Sequence, residues 1–376
     1  MRTDPTDVVG RLVLDDRVVD GRITVEAGVI TSIELDEPAP VGRGSPYITP
    51  GFVDVHVHGG GGHDAMGGRA ALDGMARHLL RHGVTSFLPT GVSAPLDDLY
   101  RFLDDVRDWM PDAPADGAQP LGSNLEGPWL SNAKRGAHDP SLLRSPADLR
   151  YEDLEAHLDG LRLVTVAPEI PGALGLIAWL RDRGVATSMG HSAATLEEAQ
   201  AGYATGGSST THLFNGMSGV DHKDPGLALA ALTDDDAYVE LIADGVHVHQ
   251  ALWRLIARAK PADRLMLISD AIPLAGMGDG RATVGGLEIE VTGHRVTLVG
   301  TSTLAGSVIA LDTAVRNLVG SGIALPAAVA AASRNPLAML GVTDRGRLAV
   351  GQRADLVELD DELTVRRVMR AGTWIA

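Results

Sequence analysis

The sequence predicts an α/β protein: a TIM-like (β/α)8 barrel with a small β-sandwich domain formed by both chain ends. Three observations lead there. Through the middle of the 376-residue chain, apolar strands alternate with amphipathic helices, making about eight β/α units. Both ends read as strands and turns without helices. Histidine, glutamate and aspartate recur where successive middle strands stop. The expected division is a discontinuous β domain over residues 1–48 and 344–376, with the barrel over 49–343.

At the start, Arg11–Leu14, Arg17–Val19, Arg22–Glu26 and Val29–Ile33 read as short strands, with turns at Asp20-Gly21 and Ala27-Gly28. A Pro/Gly-rich segment, Pro38–Pro46, follows. Next comes an apolar, β-branched run, Gly51-Phe-Val-Asp-Val-His-Val-His58, which empties into four glycines. Leu72, Met75, Ala76, Leu79 and Leu80 trace a helical stripe that Gly83 ends. The next strand spans Val84–Thr90, a helix Asp97–Trp109 and a strand Leu121–Glu126. Leu161–Glu169, Val185–His191, Ser209–Phe214, Tyr238–Asp244 and Leu265–Asp270 read as further strands. Leu174–Arg183 and Gln250–Lys260 read as helices between them, and Thr195-Leu-Glu-Glu198 as a capping box. Arg281–Val299 reads as a hairpin-like insertion. Gly346–Leu359 and Val365–Ile375 are strand-like, with a turn at Asp360-Asp361.

Composition narrows the function classes. The chain is 44% hydrophobic and 22% charged, ordinary values for a soluble globular protein. A net charge of −17 argues against nucleic acid, whose phosphates demand clustered Lys and Arg. With no cysteine there is no disulfide, thiolate site or thiol nucleophile, so metal ligands must be His, Asp or Glu. That fits a cytoplasmic protein. No apolar run reaches membrane-spanning length, and the start lacks a signal-peptide pattern.

Side chains alternate across a strand, so His56 and His58 share one face. Such a pair is weak alone, since the 13 histidines also supply His247-x-His249. Glu126, His191, His212 and Asp270 strengthen it, because each closes a later strand. Barrel enzymes build their sites at those C-terminal ends. Any one of these residues alone has an ordinary structural explanation; their joint recurrence does not. Histidines with two carboxylates suit Zn²⁺, with Fe²⁺, Co²⁺ or Mn²⁺ as competitors.

The order His-x-His, Glu, His, His, Asp on a β/α barrel resembles the amidohydrolase superfamily. The surrounding words are Pro50-Gly-Phe-Val-Asp-Val-His-Val-His-Gly59, Asn124-Leu-Glu-Gly-Pro-Trp129, Lys134-Arg-Gly-Ala-His138 and Gly190-His-Ser192. Thr211-His-Leu-Phe-Asn-Gly-Met217, Asp244-Gly-Val-His247, Ser269-Asp-Ala271 and Thr303-Leu-Ala-Gly-Ser307 follow. Together they resemble the N-acetylglucosamine-6-phosphate deacetylase family across nearly the whole chain. The resemblance implies hydrolysis of an acetamide on a phosphorylated amino sugar, releasing acetate, usually by a homodimer. It implies one metal on Glu126, His191 and His212, and a second, found in some members, on His56 and His58 with Glu126 bridging. It makes Asp270 the catalytic aspartate and His138 the histidine beside the acetyl carbonyl.

Asn215, the backbone N–H of Gly216 and His247 match the family's other sugar-phosphate contacts. The chain departs from the pattern where the family commonly reads His-Leu-Phe-Asn-Ala-Met and His-Arg-Glu-Pro-Gly. Here Gly216 replaces Ala, and His222-Lys-Asp-Pro-Gly226 puts Lys223 where an arginine grips phosphate. The family takes that arginine and a histidine from the neighbouring subunit. Lysine keeps the charge but loses the two-pronged guanidinium geometry. Two other readings are a different amide or N-acyl hydrolase of the superfamily and a non-enzymatic barrel. The first commonly carries a carboxylated lysine where Glu126 stands; the second has no use for an intact ligand set.

Overall fold

The computed structural model describes residues 5–36 and 44–375. The Pro/Gly-rich segment expected over 38–46 therefore lies largely outside the described residues. Eight parallel strands form the barrel: β1 (Phe52–Val57), β2 (Val84–Val92), β3 (Ser123–Glu126), β4 (Leu161–Val166), β5 (Ala186–Met189), β6 (Ser209–Thr210), β7 (Tyr238–Leu241) and β8 (Leu265–Leu267). Neighbours in that order pair in parallel register. Closure between β8 and β1 comes from single bonds at the mouth. Asp270 N donates to His56 O at 2.9 Å and His58 N to Ala271 O at 2.8 Å. Below them, Asp54 Oδ1 accepts from the backbone N–H of Ser269 and His56.

The helices wrap this sheet as the apolar periodicity predicts. In Arg69–Arg81 the buried residues are Leu72, Met75, Ala76, Leu79 and Leu80, the stripe read from the sequence. Thr195 and Glu198 form the expected reciprocal cap on Leu196–Thr205. The insertion is a three-stranded antiparallel sheet, Gly280–Val284, Leu287–Thr292 and Arg295–Leu298, packed on Ile272 and Ala305.

Both chain ends enter one seven-stranded sheet with its own core of Leu12, Ile23, Ile30, Ile48, Leu356 and Met369. Tyr47–Pro50 lies at its centre, parallel to Thr6–Val13 and antiparallel to Leu356–Leu359. The sheet curls until its far hairpins meet: Ala354 N donates to Gly28 O, and Gly372 N to Ala354 O. Two local expectations are corrected. Asp20-Gly21 is no turn, because Val18–Glu26 is one strand; the turn lies at Asp15-Asp16, where Leu14 N donates to Arg17 O. Gly21 is there for close approach, since a Cβ would meet Glu34 O at 2.5 Å. Over residues 346–355 the chain is loop, although Leu348 and Ala354 are buried in the small core.

Candidate metal centre

The short strands deliver the candidate ligands to one place. His56 lies in β1 and His58 one residue beyond it, on the same face. Glu126 is the last residue of β3, whereas His191, His212 and Asp270 follow the ends of β5, β6 and β8. The sequence reading extended those three strands through the site residues. The ladders stop earlier because His191, His212 and Asp270 adopt left-handed backbone, with φ of 46°, 28° and 49°. Such conformations are uncommon without glycine and persist where surrounding contacts impose them. They turn each side chain off the strand and into the mouth.

There, Glu126 is the hub. Its Oε1 lies 2.8 Å from His212 Nε2 and 3.0 Å from His191 Nε2. Its Oε2 lies 3.2 Å from His58 Nε2 and 3.7 Å from His56 Nε2. Two potential ion sites share it: His56, His58 and Glu126, and Glu126, His191 and His212, all buried. Asp270 Oδ1 sits 3.3 Å from His58 Nε2, and His138 Nε2 sits 3.5 Å from Glu126 Oε2.

The donor set fits a divalent cation for a reason internal to the rings. His58 Nδ1 lies 3.1 Å from Thr90 O, and His191 Nδ1 lies 2.9 Å from Lys134 O. Carbonyl oxygens only accept, so each Nδ1 carries the proton and each Nε2 presents a lone pair inward. His56 Nδ1 meets Glu240 in the same way. Nε2 atoms 3.1 and 3.2 Å apart in the His191–His212 and His56–His58 pairs leave lone pairs converging beside a carboxylate.

Without a cation, protons balance the charge. Burial pulls the His58 imidazole down, but hydrogen bonds to Asp270 and Glu126 outweigh it and lift it to about 9. Burial likewise opposes charge on His56, yet the Glu126 and Glu240 carboxylates hold it well above the usual range. Glu126 is held well below its ordinary value: burial raises it, but the neighbouring histidines prevail. Asp270 is also lowered, by its bond to His58 and the charges of both histidines, against its burial. His138 goes the other way, pushed down to about 4 by burial and by His191, so it is neutral near pH 7.

A cavity of about 260 Å³ opens over the centre. Of the residues singled out in the sequence, His58, Glu126, His138, His191, His212, Asn215, Gly216, His247 and Asp270 line it. His56 is buried behind them. Lys223 lies outside the lining, exposed on a loop where its own N–H donates to Asp221. Gly216 has φ 57°, and a Cβ there would stand 2.9 Å from His191 Nδ1, so glycine keeps that wall open. His247 is oriented by Asp244 at 2.7 Å. Val92, Ile272, Val284, Ile289 and Leu304 make the apolar side.

Sequence reasoning missed the groups behind the ligands: Glu240, Asp54, Ser93 (2.8 Å from His138 Nδ1), Thr90 O and Lys134 O. Acidic residues inside the apolar strands β1 and β7 were a usable signal for Asp54 and Glu240. The carbonyls leave no trace in residue type.

A β/α barrel with histidines and carboxylates converging at its C-terminal mouth defines the metal-dependent hydrolase class. A model of the amidohydrolase family matches residues 47–375, and the chain belongs to that family. It is 40% identical over 360 residues to the N-acetylgalactosamine-6-phosphate deacetylase of Escherichia coli O157:H7, covering 94% of each chain. It is 39% identical over 343 residues to the N-acetylglucosamine-6-phosphate deacetylase of Danio rerio, covering 87% of this chain and 84% of that one. Among solved structures, the N-acetyl-D-glucosamine-6-phosphate deacetylase of Mycobacterium smegmatis superposes with a TM-score of 0.92 at 34% identity. All of both chains is covered, and that protein was solved as a point mutant in complex with N-acetyl-D-glucosamine-6-phosphate.

Proposed function

We propose that this enzyme hydrolyses the acetamide of N-acetylglucosamine 6-phosphate to glucosamine 6-phosphate and acetate. The observation that carries the reading is the convergence of Glu126, His58, His191, His212 and Asp270 on a cavity that Asn215, Gly216 and His247 also line, with His56 buried behind them. Glu126, His191 and His212 would hold one divalent ion, and His56, His58 and Glu126 a second. Zn²⁺ suits the nitrogen-rich set best. Bound there, such an ion supplies Lewis acidity that lowers the pKa of a water toward about 7.

Asp270, ionised at neutral pH, takes the proton of the attacking water at Oδ1 and returns it to the departing amine nitrogen, which is otherwise too basic to leave. His138 is neutral; in the tautomer with its proton on Nε2, the atom that faces Glu126 Oε2 at 3.5 Å, the ring can donate to the acetyl carbonyl oxygen as charge develops there. The apolar wall excludes water around the acetyl group. Asn215, the N–H of Gly216 and His247 bind the sugar phosphate. Lys223 stands outside its own chain's cavity and completes the phosphate site from the second subunit of a homodimer. A cysteine-free enzyme acting on a phosphorylated sugar fits the cytoplasm.

A second reading, deacetylation of the epimeric N-acetylgalactosamine 6-phosphate, is favoured by the E. coli relative. Acetate release from both phosphorylated sugars and from free N-acetylglucosamine, measured on zinc-loaded enzyme, decides between them. Fastest turnover of N-acetylglucosamine 6-phosphate is expected. Faster turnover of the epimer reassigns the substrate, and no acetate from any of the three removes the proposal.

Lys223→Ala tests the phosphate contact. Loss of one charge-assisted contact should lower kcat/KM for the phosphorylated sugar on the order of tenfold, mainly through KM. Activity on free N-acetylglucosamine should hardly move. An unchanged preference for phosphate would show that Lys223 is only a surface charge.

A further inference from the structure

Glu240 has no part in the chemistry above, yet it is fully buried in β7 between Val239 and Leu241. A carboxylate in such a place needs partners. No arginine or lysine supplies one among the described residues. Its Oε2 lies 3.1 Å from His56 Nδ1 and 3.1 Å from the backbone N of His212. Its Oε1 has no hydrogen-bond partner. Both contacts of this carboxylate therefore go to candidate metal ligands, and to one from each ion site.

We infer that Glu240 is a positioning residue that braces both halves of the metal centre through a single carboxylate oxygen, the His56 half more strongly. The inference rests on reading the Glu126 cluster as a metal centre. Toward His56, the carboxylate accepts the Nδ1 proton, which keeps the Nε2 lone pair pointed at the ion and makes the ring a stronger donor. Toward His212, it accepts the backbone N–H of a corner held at φ 28°. The main-chain oxygen of Glu240 also accepts Leu213 N at 2.9 Å, so residue 240 holds that corner twice. The contacts are unequal in kind. At His56 the carboxylate fixes the tautomer of the ligating ring itself, whereas at His212 it restrains only the backbone that carries the ring. Loss of the charge should therefore fall chiefly on the His56 half.

The test needs no turnover. Metal-free protein is titrated with Zn²⁺ against a chromophoric chelator, comparing the parent with Glu240→Gln, which keeps the shape and one acceptor oxygen but removes the charge. His56→Asn identifies which binding step belongs to His56 and His58. Metal-free thermal unfolding is recorded for each. The parent is expected to take two ions in resolved steps. Glu240→Gln should weaken the His56 step about 10- to 100-fold, the usual range for losing a partner behind a ligand. The other step should move far less, and metal-free unfolding should stay close to the parent.

Two unchanged steps overturn the inference. So does a uniform loss of both steps together with metal-free stability, which would make Glu240 a core filler. A parent that takes one ion, with Glu240→Gln indistinguishable from it, also overturns it while leaving the metal reading standing. A parent that takes no ion overturns the metal reading and the inference with it, and that result is visible in the parent alone.

Discussion

Glu126→Gln is expected to strip metal from the protein and take acetate release to background. Glu126 is the carboxylate that both potential ion sites share, and the Nε2 atoms of its four candidate co-ligands lie between 2.8 and 3.7 Å from its two oxygens. The amide keeps the shape, but it is neutral and one of its arms becomes an N–H donor. That arm can only donate to ring lone pairs that would otherwise hold the cation, or face the cation itself, which repels it. Nor can the variant balance the protons that His56 and His58 hold when no cation is present. Elemental analysis and acetate release on the same preparation check both halves of the expectation. Retention of full metal with near-normal turnover would show that the hub has been misassigned.

Asp270→Asn should separate binding from chemistry. An amide cannot accept the water's proton or pass it to the leaving amine, so kcat should fall about 10²- to 10⁴-fold. KM and equilibrium binding of the phosphorylated sugar should change little. The substitution is clean at the backbone, because asparagine tolerates the left-handed φ of 49° found here. The main-chain bonds that hold residue 270, its N–H to His56 O and its C=O from Ser307 N, are also kept. Metal content should stay near that of the parent. Turnover within a few-fold of the parent would remove Asp270 from the proton path.

Much of this was legible because the signals are local. The Leu72–Leu80 stripe has helical period, and the structure buries those same five side chains. The residues of the centre could be read because chemistry-bearing types stand where apolar runs stop. What escaped was set by partners distant in sequence. Asp20-Gly21 has turn composition, but pairing with Thr6–Val13 and Val29–Leu35 holds it extended. The ends of β5, β6 and β8 were read too long because inward turns at His191, His212 and Asp270 break ladders that residue type would continue. Thr90 and Lys134 act through carbonyls, which every residue has. Lys223 was picked out by its place in a motif, and motif position says nothing about which cavity a side chain reaches.

The seven-stranded sheet bears on the order in which the molecule can be made. Tyr47–Pro50 is its central strand, and one residue later the chain becomes β1, which carries His56 and His58. One neighbour, Thr6–Val13, leaves the ribosome before it; the other, Leu356–Leu359, leaves after the whole barrel. Pairings that span so much sequence are late and slow in folding. Until the last strands arrive, Tyr47–Pro50 presents a bare edge, which invites pairing with another nascent chain. The wait is shortest for a barrel that sets quickly, and the low sequence separation between each strand of β2–β8 and the next favours that. The small sheet thus acts as a late clasp: it locks the start of β1 in register only after the whole barrel has been synthesised.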